Sequence, residues 1–202
     1  MSIATLPLAL AHVSLDEWDE DYSQREDAYE LVDGIPTVAP NESFANVDAT
    51  TRLITKLDPV IKDGWRPLPH FAVYLGEHDG RHTSRQPDLT VVRPGLPMNP
   101  HRVDPGDVAL VVEVISPDSF ETDAITKRAE YARAGIPAYL LVDVRGPRPT
   151  VVLFDRIVDG AYTTPDTDGT AATLRIGEHT IPLLATDLVD PETSGTSTTQ
   201  PD

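Results

Sequence analysis

Val108 to Tyr131 reads V-A-L-V-V-E-V-I-S-P-D-S-F-E-T-D-A-I-T-K-R-A-E-Y, and this stretch decides the fold. It opens as an almost continuous apolar run, the pattern of a strand covered on both faces, interrupted by a single carboxylate, Glu113. A carboxylate inside such a run needs a partner or a cation to offset its desolvation. Ser116-Pro117 breaks the strand, Thr122 has the character of a helix N-cap, and Asp123, Lys127 and Tyr131 recur every four residues on one helical face. Gly135 stops that helix, predicted over Asp123 to Ala134, and Ala138-Tyr-Leu-Leu-Val-Asp143 supplies a second apolar strand. Strand, helix and strand in this order predict a crossover between parallel neighbours.

Working outward, Pro87-Asp88-Leu-Thr-Val-Val92 is a compact strand upstream of this unit, and Tyr29 to Val38 reads as a hairpin turning at Asp33-Gly34. Ser14-Leu-Asp-Glu17 has the form of a capping box and opens a short acidic helix with Leu15 and Trp18 on its buried side. Val47, Ile54, Leu57 and Ile61 follow helical spacing within Glu42 to Lys62, with Pro59 placing the helix end near Leu57 or Asp58. Trp65 to Leu75 is expected as one strand, and its prolines 67 and 69 put it at a sheet edge. Thr150 to Phe154, Ala161-Tyr162 and Thr173 to Leu183 predict further antiparallel strands. The fold class expected is α/β (α+β), with a central mixed sheet flanked by helices. A single domain spans 14–186, between a loose arm at 1–13 and a disordered tail at 187–202.

The chain has 202 residues and a formal charge of −17, from 16 basic against 33 acidic residues. Such a field repels polyanions, which argues against a simple DNA-binding domain but leaves room for a metal-dependent nuclease, because carboxylate clusters attract divalent cations. There is no cysteine, so disulfides, thiolate nucleophiles and cysteine-held zinc are excluded. No apolar segment approaches the roughly 18 residues of a membrane span. The start, Ile3 to Val13, lacks the basic flank of a signal peptide, so a cytoplasmic protein with no membrane partner is expected. His78 and His82 are separated by a helix-breaking Asp79-Gly80, and neither G-x-S-x-G nor a phosphate-cradling glycine loop is present.

The residues that carry chemistry are therefore Asp88 at a strand start, Glu113 inside the next strand and Lys127 on the helix that follows. Two carboxylates on neighbouring strands suit a hard cation such as Mg²⁺, and the lysine supplies a positive charge beside it. Each residue also has a plainer reading: Glu113 and Lys127 as a structural salt bridge, Asp123 and Lys127 as a solvated helix pair, Glu30 facing water on its hairpin.

Pro87-Asp88, Val112-Glu-Val-Ile-Ser-Pro117, Asp123, Lys127, Tyr131, Ala134-Gly135, Tyr139-Leu-Leu-Val-Asp143 and Tyr29-Glu-Leu-Val-Asp-Gly34 together resemble the Uma-two family of putative restriction endonucleases, within the PD-(D/E)XK nuclease superfamily. The resemblance implies a restriction-endonuclease-like core, a Mg²⁺ (or Mn²⁺) cofactor and hydrolysis of DNA phosphodiesters. It implies Asp88 and Glu113 as metal ligands with the Val114 carbonyl, Lys127 as the catalytic cation, and Glu30, Asp123 and Tyr131 in support. The superfamily lysine sits two residues after the second acid, where this chain has Ile115, so Lys127 is the matching residue. Asn46 stands where the family commonly has a histidine. A homodimer is also implied, since cutting both strands of a duplex needs two sites. The alternative is a catalytically inactive protein of the same fold that binds a protein partner through its acidic surface.

Overall fold

A computed structural model describes residues 12–22, 29–39, 42–97, 101–117 and 119–190. Ser14 and Glu17 close the capping box of helix α1 (Leu15–Asp21), which buries Trp18. Strands β1 (Tyr29–Val32) and β2 (Ile35–Val38) pair antiparallel, with Asp33 and Gly34 at φ 49° and 78°. Positive φ at both central residues matches the right-handed twist of a two-residue hairpin, which is why Asp-Gly is placed there.

Helix α2 (Phe44–Leu57) is capped by Ser43 and ends ahead of Pro59. Its buried residues are Asn46, Ala49, Thr50, Leu53 and Leu57; of the four apolar residues expected inside, Leu57 and Ile61 are buried and Ile54 packs against the core, but Val47 is 47% exposed. The segment expected as one strand from Trp65 to Leu75 is two, β3 (Arg66–Pro69) and β4 (Val73–His78), which lie in different sheets. The break falls at His70, whose φ of 49° no strand can propagate. The sequence reading did not resolve β5 (Arg81–Arg85), which pairs with β4 across Asp79-Gly80.

The centre is a five-stranded sheet in the order β3, β6 (Leu89–Val92), β7 (Val108–Val114), β8 (Tyr139–Asp143) and β9 (Thr150–Phe154). β7 and β8 are parallel, joined by the crossover helix, and the other pairs are antiparallel. The sheet is thus mixed, with the proline strand β3 at its edge, where missing N–H donors cost least. A second sheet has the order β2, β1, β5, β4. Two hairpins follow: β10 (Ile157–Val158) with β11 (Ala161–Tyr162), and β12 (Ala171–Ile176) with β13 (His179–Leu184).

Alternation along the central strands builds two cores. Leu89, Val91, Leu110, Val112, Val114, Leu140 and Val142 face Leu53 and Leu57 of α2 and the apolar side of β12 and β13. Val111, Ile115, Tyr139 and Leu141 face Tyr131 and Ile136 on the crossover side. Glu113 lies on this second face, between Val111 and Ile115.

The crossover helix departs from expectation at its start. Residues 120–121 are already helical, so Thr122 lies inside the helix and is not its cap. Thr122–Lys127 is wound as a π-helix before α3 (Arg128–Arg133) continues in α geometry. Single π turns inside helices re-aim side chains and recur at functional sites. At the C-terminal end Leu188 is buried and Asp187 pairs with Lys56 at 2.8 Å, and at the other end Val13 N–H bonds to the Gly34 carbonyl. The folded body thus extends a few residues beyond 14–186 at both ends; the rest of the predicted arm and tail lies outside the described residues. No helix among the described residues is long and apolar enough to cross a membrane.

Candidate functional site

β6 and β7 pair Leu89 with Val112 and Thr90 with Val111, so one step further sets Asp88 opposite Glu113 on the same face of the sheet. Both carboxylates are buried. Asp88 Oδ2 accepts the Val114 N–H at 2.5 Å, tying the acid to the neighbouring strand. Burial, followed by the charges of Glu113 and Glu42, raises the Asp88 pKa well above the ordinary carboxylate range.

The helix supplies the cation. Lys127 Nζ lies 3.0 Å from Glu113 Oε1, 3.3 Å from Asp123 Oδ1 and 3.6 Å from Glu30 Oε1, with its side chain 12% exposed. Burial works against its charge, but the three carboxylates outweigh burial and hold its pKa above the usual lysine value. The solvated helix pair considered from sequence is therefore wrong: Asp123 and Lys127 point inward. Asp123 Oδ1 is within ion-pair range of Lys127 yet receives no hydrogen bond of good geometry from a described residue, so the contact with Lys127 is electrostatic. Tyr131 Oη donates to Glu113 Oε1 at 2.5 Å, and Tyr139 Oη donates to the Asp123 carbonyl at 3.0 Å.

Glu30 is buried, not turned to water, and it brings in a cation that sequence reasoning missed. Arg85, at the end of β5 and 4% exposed, donates Nη1 to Glu30 Oε2 at 2.7 Å. The same guanidinium grips Glu130 through Nε and Nη2 at 2.7 and 2.8 Å, a two-pronged carboxylate contact. Glu30 Oε1 also accepts the Gln86 N–H at 3.1 Å. Burial pushes the Glu30 pKa up, but Lys127, Arg85 and this N–H together hold it below its ordinary value. The only hint in the sequence was a cation three residues before Asp88, and nothing in its local pattern marked it for burial.

Glu113 has less compensation. Burial, with Asp123 and Glu30 adding to it, exceeds the help of Lys127 and Tyr131 and pushes its pKa up to about 7. Tyr131 and Lys127 both engage Oε1, and no described residue donates to Oε2. Asp88 Oδ1 is likewise free of hydrogen bonds from the described residues. The Val114 carbonyl takes one hydrogen bond, from Asn46 Nδ2 at 2.9 Å. Asn46, where a histidine is usual in the family resembled, thus caps the strand end rather than facing a ligand through a ring nitrogen.

These groups line a cleft of about 260 Å³ bordered by Glu30, Glu42, Asp88, Glu113, Asp123 and Lys127. Five buried or nearly buried carboxylates (Glu30, Asp88, Glu113, Asp123 and Glu130) meet two cations, Arg85 and Lys127. The imbalance and the free carboxylate oxygens, all hard donors, fit a divalent cation such as Mg²⁺. Ile115, in the usual lysine position, is 2% exposed and packs in the core.

Residues 15–186 match the family model Uma2, described as putative restriction endonuclease. Among solved structures, a putative nuclease from Anabaena variabilis is similar in fold, with a TM-score of 0.56 at 18% identity, covering 81% of this chain and 90% of that one. No curated protein matches the sequence at a significant level. With a restriction-endonuclease-like fold around its cleft and a family match over nearly its whole described length, the chain belongs to the Uma2 family of putative restriction endonucleases.

Proposed function

We propose that this protein is a divalent-metal-dependent endonuclease that hydrolyses DNA phosphodiester bonds. One observation carries the reading: Asp88 and Glu113 stand opposite each other on two neighbouring strands that line the cleft, each with an oxygen that no described residue hydrogen-bonds, beside a buried ammonium. Asp88, Glu113 and the Val114 carbonyl would hold Mg²⁺ or Mn²⁺, which when bound would act as a Lewis acid toward phosphate oxygens. Tyr131 and Lys127 fix Glu113 through Oε1 and leave Oε2 as its ligand atom.

Lys127 stays protonated between three carboxylates and so cannot be a general base. Its role is electrostatic: it donates toward charge that builds on the phosphate in the transition state and orients the attacking water. Glu30 and Asp123 position its Nζ, and Arg85 positions Glu30. Held there, a divalent cation would also reverse the local charge of an acidic protein that otherwise repels DNA. The working unit for cutting both strands of a duplex is a homodimer.

Plasmid and oligonucleotide DNA incubated with Mg²⁺ or Mn²⁺ test this. Cleavage is expected for the wild type and lost in Asp88→Ala and Glu113→Ala along with the ion that these two acids would hold, whereas Lys127→Met loses cleavage but still binds that ion. Absence of metal-dependent cleavage on every DNA and RNA form would remove the enzymatic reading. Ile115 in place of the usual lysine and the −17 charge favour a second reading, an inactive protein of this fold that docks a partner through its acidic surface. That reading requires no metal binding at millimolar Mg²⁺ or Mn²⁺.

A further inference from the structure

Beside Asp88 stand two residues to which the reading above gives no role, Glu42 at the border of the cleft and His70. Glu42 precedes the Ser43 cap of α2, and His70 occupies the turn between β3 and β4. One ligand atom from each of Glu42, His70 and Asp88 lies within 4.8 Å of the other two. We propose that this triad is a second divalent-cation site, sharing Asp88 with the first, that takes a first-row transition ion such as Mn²⁺ in preference to Mg²⁺.

Three observations support it. First, the placement of His70 is built into the fold. Its N–H bonds to the Asp88 carbonyl at 3.3 Å, its carbonyl accepts Gln86 Nε2 at 2.6 Å, and its φ of 49° turns the chain sharply. The main chain of His70 is thereby fastened beside Asp88. Second, no described residue hydrogen-bonds to the His70 ring or pairs with the Glu42 carboxylate, although two acids and an imidazole crowd together. Third, the buried Asp88 keeps one carboxylate oxygen to which no described residue donates, since the hydrogen bond to its side chain from a described residue uses Oδ2.

The donor set decides the class of ion. An imidazole with two carboxylates suits first-row transition ions, whereas Mg²⁺ prefers oxygen ligands and retained waters. Neighbouring ligands of an ion at about 2.1 Å stand about 3 Å apart, so the triad must contract slightly on binding. Glu42 and His70 are exposed and free to rotate by that amount. The inference deepens the nuclease reading, since Asp88 would serve both ions.

The test is Mn²⁺ titration of the full chain, followed by electron paramagnetic resonance with spin-echo detection of a coordinated nitrogen. Two Mn²⁺ per chain are expected for the wild type. His70→Gly, which suits the positive φ, and Glu42→Gln should each drop this to one, with the nitrogen signal lost in His70→Gly. Glu113→Gln should also leave one ion, now with the nitrogen signal retained, and circular dichroism confirms that each variant is folded. Unchanged stoichiometry and nitrogen signal in His70→Gly would overturn the second site, as would a wild type that binds no Mn²⁺ at millimolar concentration. One ion lost only in Glu113→Gln overturns this inference and leaves the first site standing. One ion lost only in His70→Gly and Glu42→Gln supports it and removes the first.

Discussion

Glu30 and Glu113 flank the same ammonium, yet they are in opposite electrostatic states. Glu30 has Lys127, Arg85 and a main-chain N–H, and its pKa is lowered in spite of burial. Glu113 shares Lys127, gains only the Tyr131 hydroxyl, and sits near pKa 7. One end of the cleft is thus closed by its own hydrogen bonds, and the other has an acid short of positive charge. A buried carboxylate that is fully paired holds a structure together, and one that is underpaired is available to a cation.

The strongest way to break this contrast is to remove acids from the open end. Asp88→Ala and Glu113→Ala should lower metal-dependent DNA cleavage by at least about a hundredfold, the scale of losing one charge-stabilising group. Retained cleavage in either would place the active site elsewhere.

At the closed end the effect should be on stability. Arg85→Met strands Glu30 and Glu130, and removing one partner of a buried ion pair costs about 3–5 kcal/mol. Urea unfolding measures it, and a loss below about 1 kcal/mol would show that the pairs are solvated and weak. Tyr131→Phe removes a hydrogen bond to an acid at the open end and should cost less, about 1.5–3 kcal/mol in the ionised state.

The smallest effect is in pH dependence. Glu113 is raised from 4.5 to about 7, so between those values the folded state holds a proton that the unfolded state has released. Its stabilising contribution is therefore present at acidic pH and is lost as pH rises through about 7. Glu30, lowered, behaves oppositely and loses its contribution as pH falls below the ordinary carboxylate range. With EDTA present, unfolding midpoints should fall between about pH 5 and pH 7 in the wild type and fall less in Glu113→Gln, where the raised Asp88 is left to titrate. An equal slope in both proteins would assign the titration to another group.

Much of the fold could be read in advance because its signals are local. The capping box at Ser14, the Asp-Gly turns, the proline-marked edge strand and the parallel pair around the crossover depend on residues close in sequence. The errors fell where distant contacts decide. Val47 is apolar at helical spacing and yet exposed, because the core lies on the Ala49 and Leu53 side of α2. Thr122 resembles a cap, but the helix begins before it and winds as a π turn that brings Asp123 inward.

The site divides the same way. An acid in an apolar strand and a lysine four residues after Asp123 were visible in the sequence, because burial periodicity and helical spacing are written residue by residue. Only the tertiary structure set Asp88 opposite Glu113, carried Lys127 from the helix to where Ile115 cannot act, and closed Glu30 with Arg85 from another sheet. Strand register and helix docking are long-range choices, and they determine which carboxylate oxygens are satisfied and which remain for a cation.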